Sequence, residues 1–369
     1  MDIENANVGI ENANVNIIDS DIKKDDNVNI NIKIVENNNT VTAVNKFLMI
    51  FGILFVVATV LTSLLVIAYF IIIYLSKNPY TNDFLQKAMS NIRSIPDWLT
   101  YLTYAISQIG VIFIPTYIYL RKKKIKIQET LRFNKIKALP AFLIIIAAAP
   151  ITITISTLND LILNLFYDTS KTVSTVQLPE INTLGKFLMA TLFIAMMPAI
   201  FEELMSRGVF LTAYERRGSY KAIIFSGLFF GLFHFDLSKL FFTIVLGCIL
   251  AYYVLRTNSI FAGMIAHFMN NFLGVLSLLV VNQYKNILVE LPQNTVAQDI
   301  TFMIICAGIS VFLLFAFKMA TNATANDKKK SISSFRFDLK SIFSHWPIII
   351  FLILYIGIAS LTLIGSFVK

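Results

Sequence analysis

Charge is scarce in this chain. Of 369 residues only 14% are Asp, Glu, Lys or Arg, against roughly 25% in an ordinary soluble domain. Between Lys46 and Lys77 there is none at all. A spanning helix needs about 20 apolar residues, and at about 1.5 Å per residue this run outreaches a hydrocarbon core of about 30 Å. These gaps exclude a soluble enzyme whose apolar residues alternate with polar ones. Cysteine is nearly absent as well. Cys248 and Cys306 lie in different apolar segments, which leaves no disulfide framework and no cysteine-based metal spacing. Both read as small buried hydrophobes. A cleavable signal peptide is not expected either, because the first forty residues are polar and the first apolar run is too long.

What is present points to an all-α, polytopic transmembrane bundle of about nine spans. Residues 1–45 are rich in Asn, Asp and Ile and hold an imperfect repeat, Ile3–Val8 and Ile10–Val15. With so little bulky apolar surface to offset ordering entropy, this segment is expected to be a disordered cytoplasmic tail. Apolar segments follow at about 47–75, 98–120, 139–163, 187–211, 221–236, 239–255, 259–281, 300–317 and 346–367. They divide into N-terminal spans and a basic loop (46–138), a central helical core (139–285) and two C-terminal spans (286–369).

The net charge of +9 concentrates beside apolar segments, between Arg121 and Lys137 and between Lys318 and Lys340. That is positive-inside anchoring to a lipid bilayer, not a nucleic-acid footprint. Arg216, Arg217, Lys221 and Arg256 fall in loops of the same parity, whereas the others are poorer: Lys77, Lys87 and Arg93 in one, Lys171 and Lys186 in another, Lys285 in a third. The pattern implies an N-terminus inside and a C-terminus outside, and the Asn/Ile/Lys-rich bias suits a bacterial cell membrane.

Polar residues where polarity is expensive carry the functional signal, since a charge at the centre of a membrane helix costs roughly 2.5–3.5 kcal/mol. The fourth segment contains Glu202, Glu203 and Arg207, the fifth Phe230 and His234, the seventh His267 and Asn271. Counted from the presumed inner helix ends, Glu202, His234 and Asn271 lie on the order of 20 Å deep, with His267 one turn shallower. His267 and Asn271 are one helical turn apart and share a face. Glu203 and Arg207 have the same spacing and are expected to pair, leaving Glu202 about 100° away and free. Gly227, Gly231, Gly263 and Gly274 are expected to let helices approach closely. His345, the third histidine, stands beside Trp346 at a helix start and reads as interfacial.

Glu-Glu-x-x-x-Arg, Phe-x-x-x-His and His-x-x-x-Asn, in that order on successive apolar segments, resemble the three motifs of the CAAX protease and bacteriocin-processing (CPBP, or Abi) family. The resemblance covers about 140–285. It implies an intramembrane peptidase acting on a peptide or membrane-anchored protein. Glu202 would be the general base, helped by His234, and His267 with Asn271 would stabilise the oxyanion. Glu203, Arg207 and Phe230 would support them. The chemistry is coherent on its own terms, because a peptide carbonyl needs an activated water and donors where negative charge develops. Neither a cysteine nor a Gly-x-Ser-x-Gly elbow occurs in the three motif-bearing segments to offer a covalent route. No cofactor is expected. The alternative is zinc on Glu202, His234 and His267, although no His-Glu-x-x-His motif supports it. Two other functions compete: a catalytically silent bacteriocin-immunity or scaffold protein, and a proton-coupled transporter, which would be expected to show duplicated halves.

Overall fold

A chain this apolar must satisfy its backbone within each segment, and helices do so. The computed structural model describes residues 24–77, 95–122, 130–166, 179–290, 295–322, 331 and 333–367. Among them there are helices and connecting turns and no strands. In chain order they are α1 (Lys24–Lys77), α2 (Asp97–Lys122), α3 (Ala138–Asn164), α4 (Leu184–Glu215), α5 (Ser219–Leu232), α6 (Leu240–Thr257), α7 (Ile260–Glu290), α8 (Val296–Ala320), α9 (Phe335–Phe343) and α10 (Trp346–Phe367).

Seven of them hold stretches long and apolar enough to cross a membrane, and α9 with α10, bent by 76°, makes up to an eighth. The difference from nine is α5. Its 14 residues rise about 21 Å, short of a hydrocarbon core of about 30 Å. The fifth apolar segment therefore ends at Leu232, and His234 stands in the turn that follows. A second correction concerns the tail. Residues 1–23 lie outside the described residues, but Lys24 to Asn45 continue the first spanning helix, with Val41, Val44 and Asn45 buried. The Asn45 amide donates to the Ile342 carbonyl at 3.0 Å. A partner on a distant helix gives the last residues before the apolar run a burial that local composition alone could not.

Helices α5 and α6 form an antiparallel hairpin with almost no space between their backbones. A Cβ at Gly227 would stand 2.8 Å from the Cys248 amide nitrogen and 2.9 Å from the Ile244 carbonyl, and one at Gly231 would meet Ile244 at 2.4 Å. These two glycines are the close-approach positions the sequence suggests. Gly274, by contrast, has nothing within 4 Å of a would-be Cβ, so it makes no such contact.

The turn after α5 is held from outside the hairpin. Phe235 takes a left-handed φ of 52°, a genuine outlier for a bulky residue. Its ring stacks on Phe55 of α1 at 4.4 Å and lies against Phe51, Phe351 and Tyr355. Packing from α1 and α10 thus supports a strained backbone beside His234.

The basic loops gather at one end of the bundle. Arg132 pairs with Glu215 and reaches Asn258. Arg217 and Lys221 both pair with Asp338 of α9, which also accepts from Ser333 at 2.7 and 2.9 Å. Arg256 donates to Thr321 at 3.1 Å and to Asn322 at 2.7 Å. Segments of the same charge parity therefore share one side. If that side faces the cytoplasm, cysteines at Lys135 and Arg336 should resist impermeant thiol reagents in intact cells, while one at Ala297 should label. Labelling at 135 and 336 with protection at 297 reverses the orientation.

Candidate active site

Helix α4 carries the carboxylates, and its backbone is not regular around them. Thr191–Met196 and Ser206–Leu211 are π-helical, with the α-helical stretch Met197–Met205 between them. Wide turns of this kind recur at functional sites. Pro198, which has no N–H to donate, stands where the first π-helical stretch passes into the α-helical one. Glu202 and Glu203 are both buried, at 6% and 0% exposure.

Glu203 pairs with Arg207, as their spacing predicts. Arg207 Nε lies 2.9 Å from Glu203 Oε2 and Nη2 donates to Oε1 at 3.2 Å. A third guanidinium nitrogen, Nη1, donates to Ser226 Oγ at 2.9 Å. The Phe230 ring lies 5.3 Å from the guanidinium carbon, a cation–π contact. Space for the pair comes from α7, where a Cβ at Gly263 would stand 2.4 Å from Glu203 Oε2.

The two histidines converge on the other carboxylate. Glu202 Oε2 is 3.8 Å from His234 Nε2 and 3.9 Å from His267 Nε2. It is buried and accepts no hydrogen bond. The far side of each ring is held. His234 Nδ1 lies 2.6 Å from the Phe230 carbonyl, which can only accept, so this nitrogen carries the hydrogen. His267 Nδ1 lies 3.3 Å from Glu203 Oε1. Both Nε2 atoms are thereby aimed at Glu202. Phe230 is wedged among them, its ring centroid 5.0 Å from that of His234 and 5.5 Å from that of His267.

Two refinements of the sequence expectations follow. Glu203 is not confined to its arginine, because His267 bridges it to Glu202. Asn271 stands one turn from His267 but makes no bond to the cluster. Its Oδ1 accepts from Asn270 Nδ2 at 3.1 Å, and Asn270 Oδ1 accepts from Thr152 of α3 at 3.0 Å. The Asn271 amide nitrogen is left to donate elsewhere. The third histidine, His345, lies at the bend between α9 and α10, away from this group.

One member was missed. Gln108, midway along α2 in the π-helical stretch Ile106–Phe113, is buried and donates from Nε2 to Glu202 Oε1 at 2.9 Å. The available signal was a lone amide in the middle of an apolar span, a position where polarity is costly.

A metal fits poorly as the atoms stand. Tetrahedral zinc with bonds of about 2.0–2.1 Å sets its ligand atoms about 3.4 Å apart, less than the 3.8 and 3.9 Å found here. Among the described residues no group of three or more His, Cys, Asp or Glu side chains is placed to hold an ion.

Residues 184–273 match the family model described as Type II CAAX prenyl endopeptidase Rce1-like, in agreement with the resemblance drawn from the motifs. Glu202, Glu203, Arg207, Phe230, His234, His267 and Asn271 all fall within the matched stretch, and Gln108 falls outside it. No curated protein and no solved structure gives a match to the chain.

The Glu203–Arg207 pair has a measurable consequence. Removing one partner of a buried pair strands the other charge at a cost of roughly 3–5 kcal/mol. Glu203→Gln and Arg207→Gln should each sharply lower the melting temperature or the yield of folded protein from membranes. Gly263→Ala, which crowds the same carboxylate, should act in the same direction. Wild-type melting temperatures in all three would remove the structural role of the pair.

Proposed function

We propose that this chain, residues 184–273 of which carry the type II CAAX prenyl endopeptidase signature, is an intramembrane endopeptidase that uses Glu202 to activate water. The observation that carries the reading is the buried, unbonded Glu202 Oε2 faced by two imidazole nitrogens at 3.8 and 3.9 Å. A water oxygen at about 2.8 Å from each of these atoms satisfies all three with ordinary hydrogen bonds. The substrate is a membrane-associated peptide or membrane-anchored protein that presents its scissile bond at this depth.

In this mechanism Glu202 Oε2 removes a proton from the water as its oxygen attacks the peptide carbonyl carbon. Negative charge develops on the carbonyl oxygen, where Asn271 Nδ2 and the Nε2 of a doubly protonated His267, its Nδ1 hydrogen held by Glu203, supply donors. His234 Nε2 relays the proton to the amide nitrogen. The carbon–nitrogen bond then breaks, releasing a carboxyl group and an amine. Burial makes each of these interactions stronger than it would be in water, and an oxyanion donor in a dry site contributes about 3–4 kcal/mol. No step passes through a metal.

Glu202→Gln separates catalysis from folding. It removes a costly buried charge and keeps the shape of the side chain, so the melting temperature should hold or rise while cleavage of a fluorogenic membrane peptide falls at least ~100-fold. Purified protein should contain well under one equivalent of zinc, and chelators should leave cleavage intact. Full activity in folded Glu202→Gln overturns the assignment of the base, whereas no cleavage by the folded wild type restores the non-catalytic immunity or scaffold reading. Stoichiometric zinc lost on mutating His234 or His267 replaces the metal-free mechanism with a metal one.

A further inference from the structure

Glu202 has two oxygens with different surroundings. Oε2 faces the histidines without a hydrogen bond, and Oε1 accepts from the Gln108 amide at 2.9 Å. The last torsion of a glutamate side chain is soft and roughly two-fold, so nothing in the side chain itself chooses which oxygen points where. The choice is made from α2.

We propose that Gln108 is a positioning residue for the reaction, holding the Glu202 carboxylate so that Oε2 alone is presented to the attacking water. The inference rests on the reading of Glu202 as general base.

Three features of the residue bear this out. Its chemistry suits the task. A cation in this place would pin the carboxylate but weaken its hold on a proton, whereas a neutral amide donates a hydrogen bond without net charge. A hydroxyl can turn and accept, but an amide nitrogen only donates. Its cost points to function as well. Gln108 stands near the centre of a span, and its own Oε1 is buried with no hydrogen-bond partner. The amide thus carries an unsatisfied oxygen into an apolar span in order to supply one donor to Glu202 Oε1. Its mounting is specific too. The π-helical stretch Ile106–Phe113 packs on α4, with the Phe113 ring 4.9 Å from that of Phe201, the residue before Glu202. Gln108 and Glu202 thus face each other from two elements fixed together at that level.

The experiment uses the purified full chain and the same fluorogenic membrane peptide, with kcat and KM followed across pH. Gln108→Met keeps length and apolar packing but leaves Glu202 Oε1 without its donor, so it should still fold, with at most a modest fall in melting temperature. Its kcat should fall about 10- to 100-fold, the scale of a misaimed catalytic group, with KM little changed. On a Glu202→Gln background the same substitution should cost nothing further. Gln108→Glu sets a second carboxyl against Glu202, and like charges at hydrogen-bond distance disfavour the ionised form. The acidic limb of its pH profile should therefore move to higher pH by one unit or more.

Wild-type kcat in Gln108→Met, or an unmoved acidic limb in Gln108→Glu, overturns the proposal. Loss of folded protein in Gln108→Met also overturns it, because the amide would then be structural. Failure of the underlying reading looks different. It is an active, folded Glu202→Gln, whereas a dead Glu202→Gln beside unaffected Gln108 variants removes only the positioning role.

Discussion

The ion pair between Glu203 and Arg207 is the interaction on which the rest of the centre is arranged. Both side chains are essentially inaccessible, and charges in such a place are tolerated only with partners. The guanidinium therefore spends its donors on Glu203 and Ser226 and rests against Phe230. Those demands draw α4 against α5 and leave room only for a glycine where α7 passes, at Gly263. Once α4, α5 and α7 are brought together in this way, His267 is close enough to lean on Glu203, and Phe230 separates the two imidazoles. The carboxylate that remains, Glu202, is left with an oxygen facing both rings. The buried ion pair thus fixes the setting of the second carboxylate.

The matched stretch 184–273 contains the motif residues, but it does not stand alone. Helix α2 supplies Gln108 to Glu202, and α3 supplies Thr152 to the amide pair beside Asn271. Helices α1 and α10 pack on Phe235, whose left-handed backbone follows His234. At the basic end, Asp338 of α9 is held by Arg217 and Lys221, next to the turn joining α4 and α5. A buried acid between two cations is also a matter of necessity. Asp338 without them would be an uncompensated charge, so α9 cannot leave without breaking both pairs. The flanking helices are accordingly part of the support for the centre.

Much was legible in the sequence because membrane residence makes local composition decisive. A run without charge long enough to span must be a helix, since no water is present to satisfy the backbone. A charged residue inside such a run must have a partner, which is why Glu203 and Arg207 at one-turn spacing could be paired by inspection. The one-turn spacing of His267 and Asn271 likewise put both on one face of a helix. The parity of the basic loops anticipated their gathering at one end.

What only the tertiary structure decided are the matters that depend on neighbours distant in the chain. The helical continuation of α1 back to Lys24 buries Val41, Val44 and Asn45, and the Asn45 amide finds Ile342, 297 residues away. The early end of α5 places His234 on a turn, and that turn is braced by rings from α1 and α10. Gln108 meets its carboxylate partner 94 residues on in the chain, on another helix. Composition and periodicity act along a helix, so they could name the residues that must find partners. Which partner each one finds is set by how helices remote in sequence pack, and no local pattern encodes that.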